Sequence, residues 1–201
     1  MADPALKQYG LLEYLEMEEY SEEKHEYHDG FIKAMSGGTL DHSTITSNVV
    51  ACIREESLKQ GGKCRPANGD LKVYIEGVNK SFYPDAMAIC EEAEFHLGRK
   101  DIITNPTLIV EVLSKGTEAF DRGKKFRCYQ KLPSFKEYIL VSQDQPVVEG
   151  YFREDESLWR ISNAVGLDKS IPFYSMGCEV QLKDIYAFIN FSGDAQLKLD
   201  L

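Results

Sequence analysis

Six consecutive residues, Leu108-Ile109-Val110-Glu111-Val112-Leu113, limit what this chain can become more than any other stretch. Five of the six are aliphatic. A run that short and that apolar fits a strand covered on both faces, as a central strand would be. Such a strand needs packed layers above and below it, so the chain must build a sheet with other elements on its faces. Glu111 is the exception inside that strand. A buried carboxylate that loses its partner costs roughly 3–5 kcal/mol, so a compensating feature is expected: a metal cation, a lysine, or a place at the open end of the strand.

The surrounding pattern supplies the other layers. A helix is expected over residues 9–19, then a turn at 20–23 with Ser21 as a cap. A strand is expected over 31–35, between the Asp29-Gly30 turn and Ser36-Gly37-Gly38. Ile45, Val49, Ile53 and Leu58 predict an amphipathic helix over 42–60, begun by Asp41 or Ser43 and closed by Gly61-Gly62. Residues 71–75 alternate as a half-buried strand, and 86–90 form a short apolar strand directly after Tyr83-Pro84-Asp85. A second helix spans about 118–131, capped by Thr117 and stopped by Pro133. Strands at 137–141, 147–153 and 158–162 follow, the last two as a hairpin around Asp155-Glu156. A helix over 183–188 and a polar tail over about 192–201 end the chain. The order predicts an α/β fold: a mixed central sheet flanked by helices, with an additional C-terminal β-hairpin. One domain, 1–201, accounts for the length, with its core over about 12–191.

Composition narrows the function classes. With 43% hydrophobic residues and no low-complexity stretch, the chain is not a disordered one. No apolar run approaches the ~20 residues that span a bilayer, and the acidic start lacks the order of a signal peptide. A soluble, cytoplasmic protein with no membrane partner is expected. The formal net charge of −10 argues against general affinity for nucleic acid, which runs on Lys and Arg. It does not argue against an enzyme acting on nucleic acid, because clustered carboxylates are cancelled when a divalent ion binds. Five cysteines, an odd number with no CxxC pair, predict buried reduced thiols rather than a zinc site or a disulfide framework.

Asp85 begins a second buried-looking strand. Two carboxylates on adjacent strand ends can share one Mg²⁺, a hard ion that takes oxygen ligands and keeps several waters, and the carbonyl of Val112 would add a further oxygen. Asp121, Lys125 and Tyr129 stand at i, i+4 and i+8, one face of a helix from which Lys125 can reach those carboxylates. A lysine beside a metal-activated water is a workable arrangement for phosphodiester hydrolysis. His42, at the start of the long helix, is a candidate phosphate contact. Glu26 is either a further acid of the site or a solvated residue in Glu22-Glu23-Lys24-His25-Glu26. Asp70 is either another acid near the metal or a turn residue. Phe82 and Tyr83 either stack bases or pack a strand. Arg99, Lys100, Lys115, Arg122, Lys124 and Arg127 are candidates for a phosphate-facing patch. His25 and His28 lack the further ligands of a transition-metal site.

Taken together, Pro84-Asp85, Glu111-Val112-Leu113-Ser114 with Thr117, Asp121-Arg122-Gly123-Lys124-Lys125 with Tyr129, and Glu137-Tyr138 resemble the Uma-two family of restriction-endonuclease-like proteins, in the PD-(D/E)xK nuclease superfamily. Glu26, Asp29-Gly30, Met35 and His42 fall where that family carries similar residues, and the resemblance covers about residues 12–191. It implies a four-stranded mixed core flanked by helices, a divalent metal and endonuclease activity. Asp85 matches the motif's Asp and Glu111 its Glu. The position of the motif's lysine is occupied by Leu113, and the matching lysine of the following helix is Lys125, with Lys124 and Lys115 fitting less well. The resulting expectation is a Mg²⁺- or Mn²⁺-dependent endonuclease acting on DNA as a homodimer. Asp85, Glu111, Lys125 and Glu26 would be catalytic. Asp85, Glu111 and Val112 would hold the metal, and His42, Tyr129 and Asp121 would meet the substrate. Two readings stay open beside it: a catalytically inactive nuclease-fold binding module, and a metallohydrolase for a non-DNA phosphodiester.

Overall fold

The computed structural model describes residues 7–191; the tail expected over 192–201 lies outside them. In chain order the elements are α1 (Leu11–Tyr20), β1 (His25–His28), β2 (Phe31–Ala34), α2 (Leu40–Lys59), β3 (Arg65–Asn68), β4 (Lys72–Ile75), β5 (Lys80–Phe82), β6 (Ala86–Ile89), β7 (Ile102–Ile103) and β8 (Leu108–Leu113). A helix, α3, over residues 118–129 leads to β9 (Glu137–Ser142), β10 (Val147–Arg153), β11 (Trp159–Val165), β12 (Ser170–Phe173), β13 (Cys178–Gln181) and the single turn α4 (Leu182–Ile185).

β8 is buried along its whole length, in the middle of a six-stranded sheet ordered β11-β10-β9-β8-β6-β3. It runs parallel to β9 and antiparallel to β6. The parallel step requires a crossover, and α3 supplies it. Alternation along β8 sends its side chains into two different cores. Leu108, Val110 and Val112 pack with Ile45, Val49 and Ile53 of α2. Ile109 and Leu113 pack with Tyr129, Phe135 and Tyr138. Glu111 shares the second face, which lies under α3.

A second sheet, ordered β2-β1-β5-β4-β7, completes the body, and β12 pairs with β13 alone. The mixed sheet with flanking helices is as expected, and the 147–153 hairpin extends the central sheet. Four readings are corrected. The N-cap of α2 is Thr39, whose Oγ1 accepts from the His42 N–H at 3.1 Å, rather than Asp41 or Ser43. Glu26 is buried within β1, whereas Glu22, Glu23 and Lys24 before it are exposed, so the solvated reading fails at Glu26 itself. All four residues of β4 are buried rather than alternate ones, because Lys72 Nζ finds Asp101 at 2.8 Å. The last helix shortens to one turn, Leu182–Ile185, and a strand pair over 170–181 precedes it.

The cysteine reading is corrected as well. Cys64 and Cys90 form a disulfide, and Cys52, Cys128 and Cys178 are free. The cause is register: Arg65 pairs with Ile89 across β3 and β6, so one further step sets Cys64 opposite Cys90, a juxtaposition that chain spacing conceals.

Candidate functional site

The register between β6 and β8 builds the centre. Ala86 pairs with Val110 in that antiparallel ladder, and the next step sets Asp85 opposite Glu111. Opposed residues of an antiparallel pair project to the same face, so the two carboxylates are neighbours. Asp85 is fixed from both sides: its Oδ2 accepts from the Val112 N–H at 2.7 Å, and its Oδ1 lies 3.0 Å from His42 Nε2. That carboxylate holds the His42 imidazole above its ordinary range, against the effect of burial.

Glu111 is 3% exposed and Lys125 4%, and the two meet at 2.8 Å through Oε1 and Nζ. The Tyr129 hydroxyl donates to the same Oε1 at 3.0 Å. Lys125 Nζ also lies 3.4 Å from Glu26 Oε1 and 3.6 Å from Asp121 Oδ1. Burial pushes the Glu111 carboxyl well up, with Lys125 opposing it. Burial would lower the Lys125 ammonium, but Glu111, Glu26 and Asp121 outweigh it and hold it raised. Glu26 is pushed up by burial, yet His28, 3.2 Å from its Oε2, and Lys125 bring it below the usual carboxylate range. Of the partners the strand sequence left open for Glu111, the lysine is in place.

A cavity of about 700 Å³ opens on this group. Its wall includes Glu26, His42, Asp85, Glu111, Val112, Asp121 and Lys125, the candidate residues brought together from β1, α2, the entry to β6, β8 and α3. Tyr129 is the exception: it is fully buried, absent from the wall, and its hydroxyl lies on the Glu111 carboxylate. Asp70 is also elsewhere, paired with Lys24 at 2.7 Å on the surface. Phe82 is core, whereas Tyr83 reaches the wall and donates to Glu18 at 2.8 Å. Of the expected basic patch only Lys115 lines the cavity. Arg99 is held by Asp101 and Glu19, and Arg122 by Glu118 and Glu149.

Lys33 and Gln143 of the wall were not anticipated. Lys33 lies on β2, and Gln143 follows β9 and accepts from the Thr39 hydroxyl at 3.2 Å. Neither carries a sequence signal, because each joins the site only through strand order. Gly38 has one in retrospect: a Cβ there would stand 3.0 Å from the His42 ring, so the Gly37-Gly38 pair read as a strand end also makes room for the histidine.

The oxygen donors fit a hard divalent cation. Among the described residues no three His, Cys, Asp or Glu side chains are placed to hold a metal ion by themselves; the three carboxylates that do converge meet on the Lys125 ammonium. Two carboxylates beside open cavity space leave several positions to water, which suits Mg²⁺ or Mn²⁺ rather than Zn²⁺ in a closed N/S site.

Over residues 11–180 the sequence matches the Uma2 family model, "Putative restriction endonuclease". The uncharacterized protein slr1290 of Synechocystis sp. is 38% identical over 181 residues, covering 89% of this chain and 92% of its own. The uncharacterized protein sll1609 of the same organism is 32% identical over 164 residues, covering 82% and 92%. Among solved structures, that of "a putative nuclease belonging to DUF820" from Anabaena variabilis has a TM-score of 0.70 at 19% identity, over 89% of this chain and 97% of that one. That likeness is one of fold. With strand order, sequence match and relatives in agreement, the chain belongs to the Uma2 family of restriction-endonuclease-like proteins.

Proposed function

We propose that the protein is an endonuclease that hydrolyses phosphodiester bonds in DNA with Mg²⁺ or Mn²⁺. Asp85, Glu111 and the Val112 carbonyl would hold the ion. The observation that carries this reading is the place of Asp85, one residue before β6 and one step beyond the Ala86–Val110 pair, beside Glu111 of β8, with a lysine ammonium 2.8 Å from Glu111. When bound, such an ion polarises a phosphoryl oxygen and makes a water nucleophilic at neutral pH.

The chain's own groups do the rest. Lys125, gripped by three carboxylates, presents a fixed positive charge where negative charge grows on the phosphate, and such preorganisation is the larger part of many rate enhancements. Asp121 and Glu26 orient that ammonium, and Glu26 would be an additional ligand to the ion through water. Tyr129 fixes Glu111, and His42 fixes Asp85 while facing the cavity, where a phosphate would meet it. A homodimer acting in the cytoplasm completes the reading, since two copies of one site suit the two strands of a duplex.

The test is nicking of supercoiled plasmid in Mg²⁺ or Mn²⁺, with melting temperature followed in parallel. Asp85→Asn and Glu111→Gln are expected to lower cleavage by about 100-fold or more and to abolish stabilisation by Mn²⁺. Asp70→Asn should leave both unchanged. Absence of a Mn²⁺ shift in the wild-type protein, or cleavage that survives Asp85→Asn, overturns the reading. Hydrolysis of RNA or of a small phosphodiester in place of plasmid reassigns the substrate, and sedimentation reads the dimer.

A further inference from the structure

The interior of the cavity is acidic. Glu26, Asp85, Glu111, Asp121 and Asp144 line it, and the one buried ammonium among them, Lys125, is already shared by three carboxylates. A DNA strand entering such a space, on a chain of formal charge −10, meets repulsion before it meets the reacting groups. Cations are needed at the entrance, and the pairing pattern shows which can serve. Lys24, Lys72, Arg99 and Arg122 are each held by an acid. Two further lysines line the cavity, Lys33 and Lys115. Both are exposed, and among the described residues neither makes an ion pair.

Their places in the fold differ. Lys33 projects from β2 in the second sheet, its ammonium 5.4 Å from the centre of the Phe120 ring, another residue of the wall. Lys115 follows β8 of the central sheet, in a loop closed by the Ser114–Thr117 hydroxyl contact at 3.1 Å. One lysine therefore comes from each sheet, with the carboxylates in the same cavity. We infer that Lys33 and Lys115 form a two-sided phosphate clamp, holding the DNA backbone at two phosphates so that the strand lies across the Asp85–Glu111 pair. The inference rests on the nuclease reading and extends it from the reacting groups to the path of the substrate.

Each ionic phosphate contact releases counterions. Losing one lowers the slope of log K against log salt by about 0.9 on duplex and about 0.7 on a single strand. The experiment is a salt titration of binding to a fluorescent DNA duplex in Ca²⁺, with wild-type protein, Lys33→Gln, Lys115→Gln, the double variant and Lys124→Gln. Lys124 is exposed on α3 and absent from the cavity wall. Each single cavity variant is expected to lose one contact's worth of slope, the double variant twice that, and Lys124→Gln none. In cleavage assays the two single variants should raise KM more than they lower kcat. Wild-type slopes in Lys33→Gln and Lys115→Gln, or an equal drop in Lys124→Gln, overturn the clamp and leave the nuclease reading standing. A wild-type protein that does not bind DNA in any salt overturns both.

Discussion

Lys125 and Glu111 are the residues with most at stake. Breaking a buried ion pair from one side leaves an uncompensated charge, at a cost of about 3–5 kcal/mol, whereas replacing both members by neutral groups of similar size is far milder. Lys125→Met should lower stability to urea by that amount, and adding Glu111→Gln should restore a large part of it; a double variant no more stable than Lys125→Met would show that the pair is not the source. Asp101 permits a pH test. Partial burial pulls its carboxyl up, but Arg99 and Lys72 outweigh this and hold it down to about 2. A depressed carboxyl stabilises the fold above the ordinary aspartate value of about 4, and that contribution is lost as pH falls from there toward 2. The urea midpoint of Asp101→Asn should therefore lie below wild type at pH 5 and converge with it near pH 2.

Among the elements, α3 shows how a helix can serve a site. Its middle, Asp121–Lys125, winds as a π-turn. In a regular helix each i, i+4 step drifts by about 40° around the axis. A wider turn rotates each residue by less, so Asp121, Lys125 and Tyr129 stay nearer one line, and all three are buried. Their spacing was legible in the sequence. The π-turn was not, and Gly123 inside a helix was its one visible irregularity. The β3–β6 pair makes a covalent prediction. Denatured, unreduced protein should titrate three thiols, Cys52, Cys128 and Cys178, and five after reduction; five without reduction would mean that Cys64 and Cys90 remain open.

Across the whole molecule, Glu137 joins layers that the chain order separates. It is fully buried at the start of β9, and it accepts from the Tyr174 and Ser175 N–H groups at 2.9 Å each and from the Ser175 hydroxyl at 2.7 Å. This clasp ties the turn between β12 and β13 to the central sheet. Glu137→Gln should cost on the order of 3 kcal/mol through weakened charge-assisted bonds, with the amides of β12 and β13 losing most of their hydrogen-exchange protection; protection unchanged there would count against the clasp. The central strand, the helix across it, and the need of Glu111 for a positive partner are readable along the chain, because each follows from local pattern and the cost of burying charge. Folding alone sets Asp85 opposite Glu111, puts Tyr129 behind the carboxylate and Glu26 on a strand, and brings Lys33 into one cavity with Lys115. Those are matters of register and strand order, where residues far apart in the chain become neighbours without any local trace.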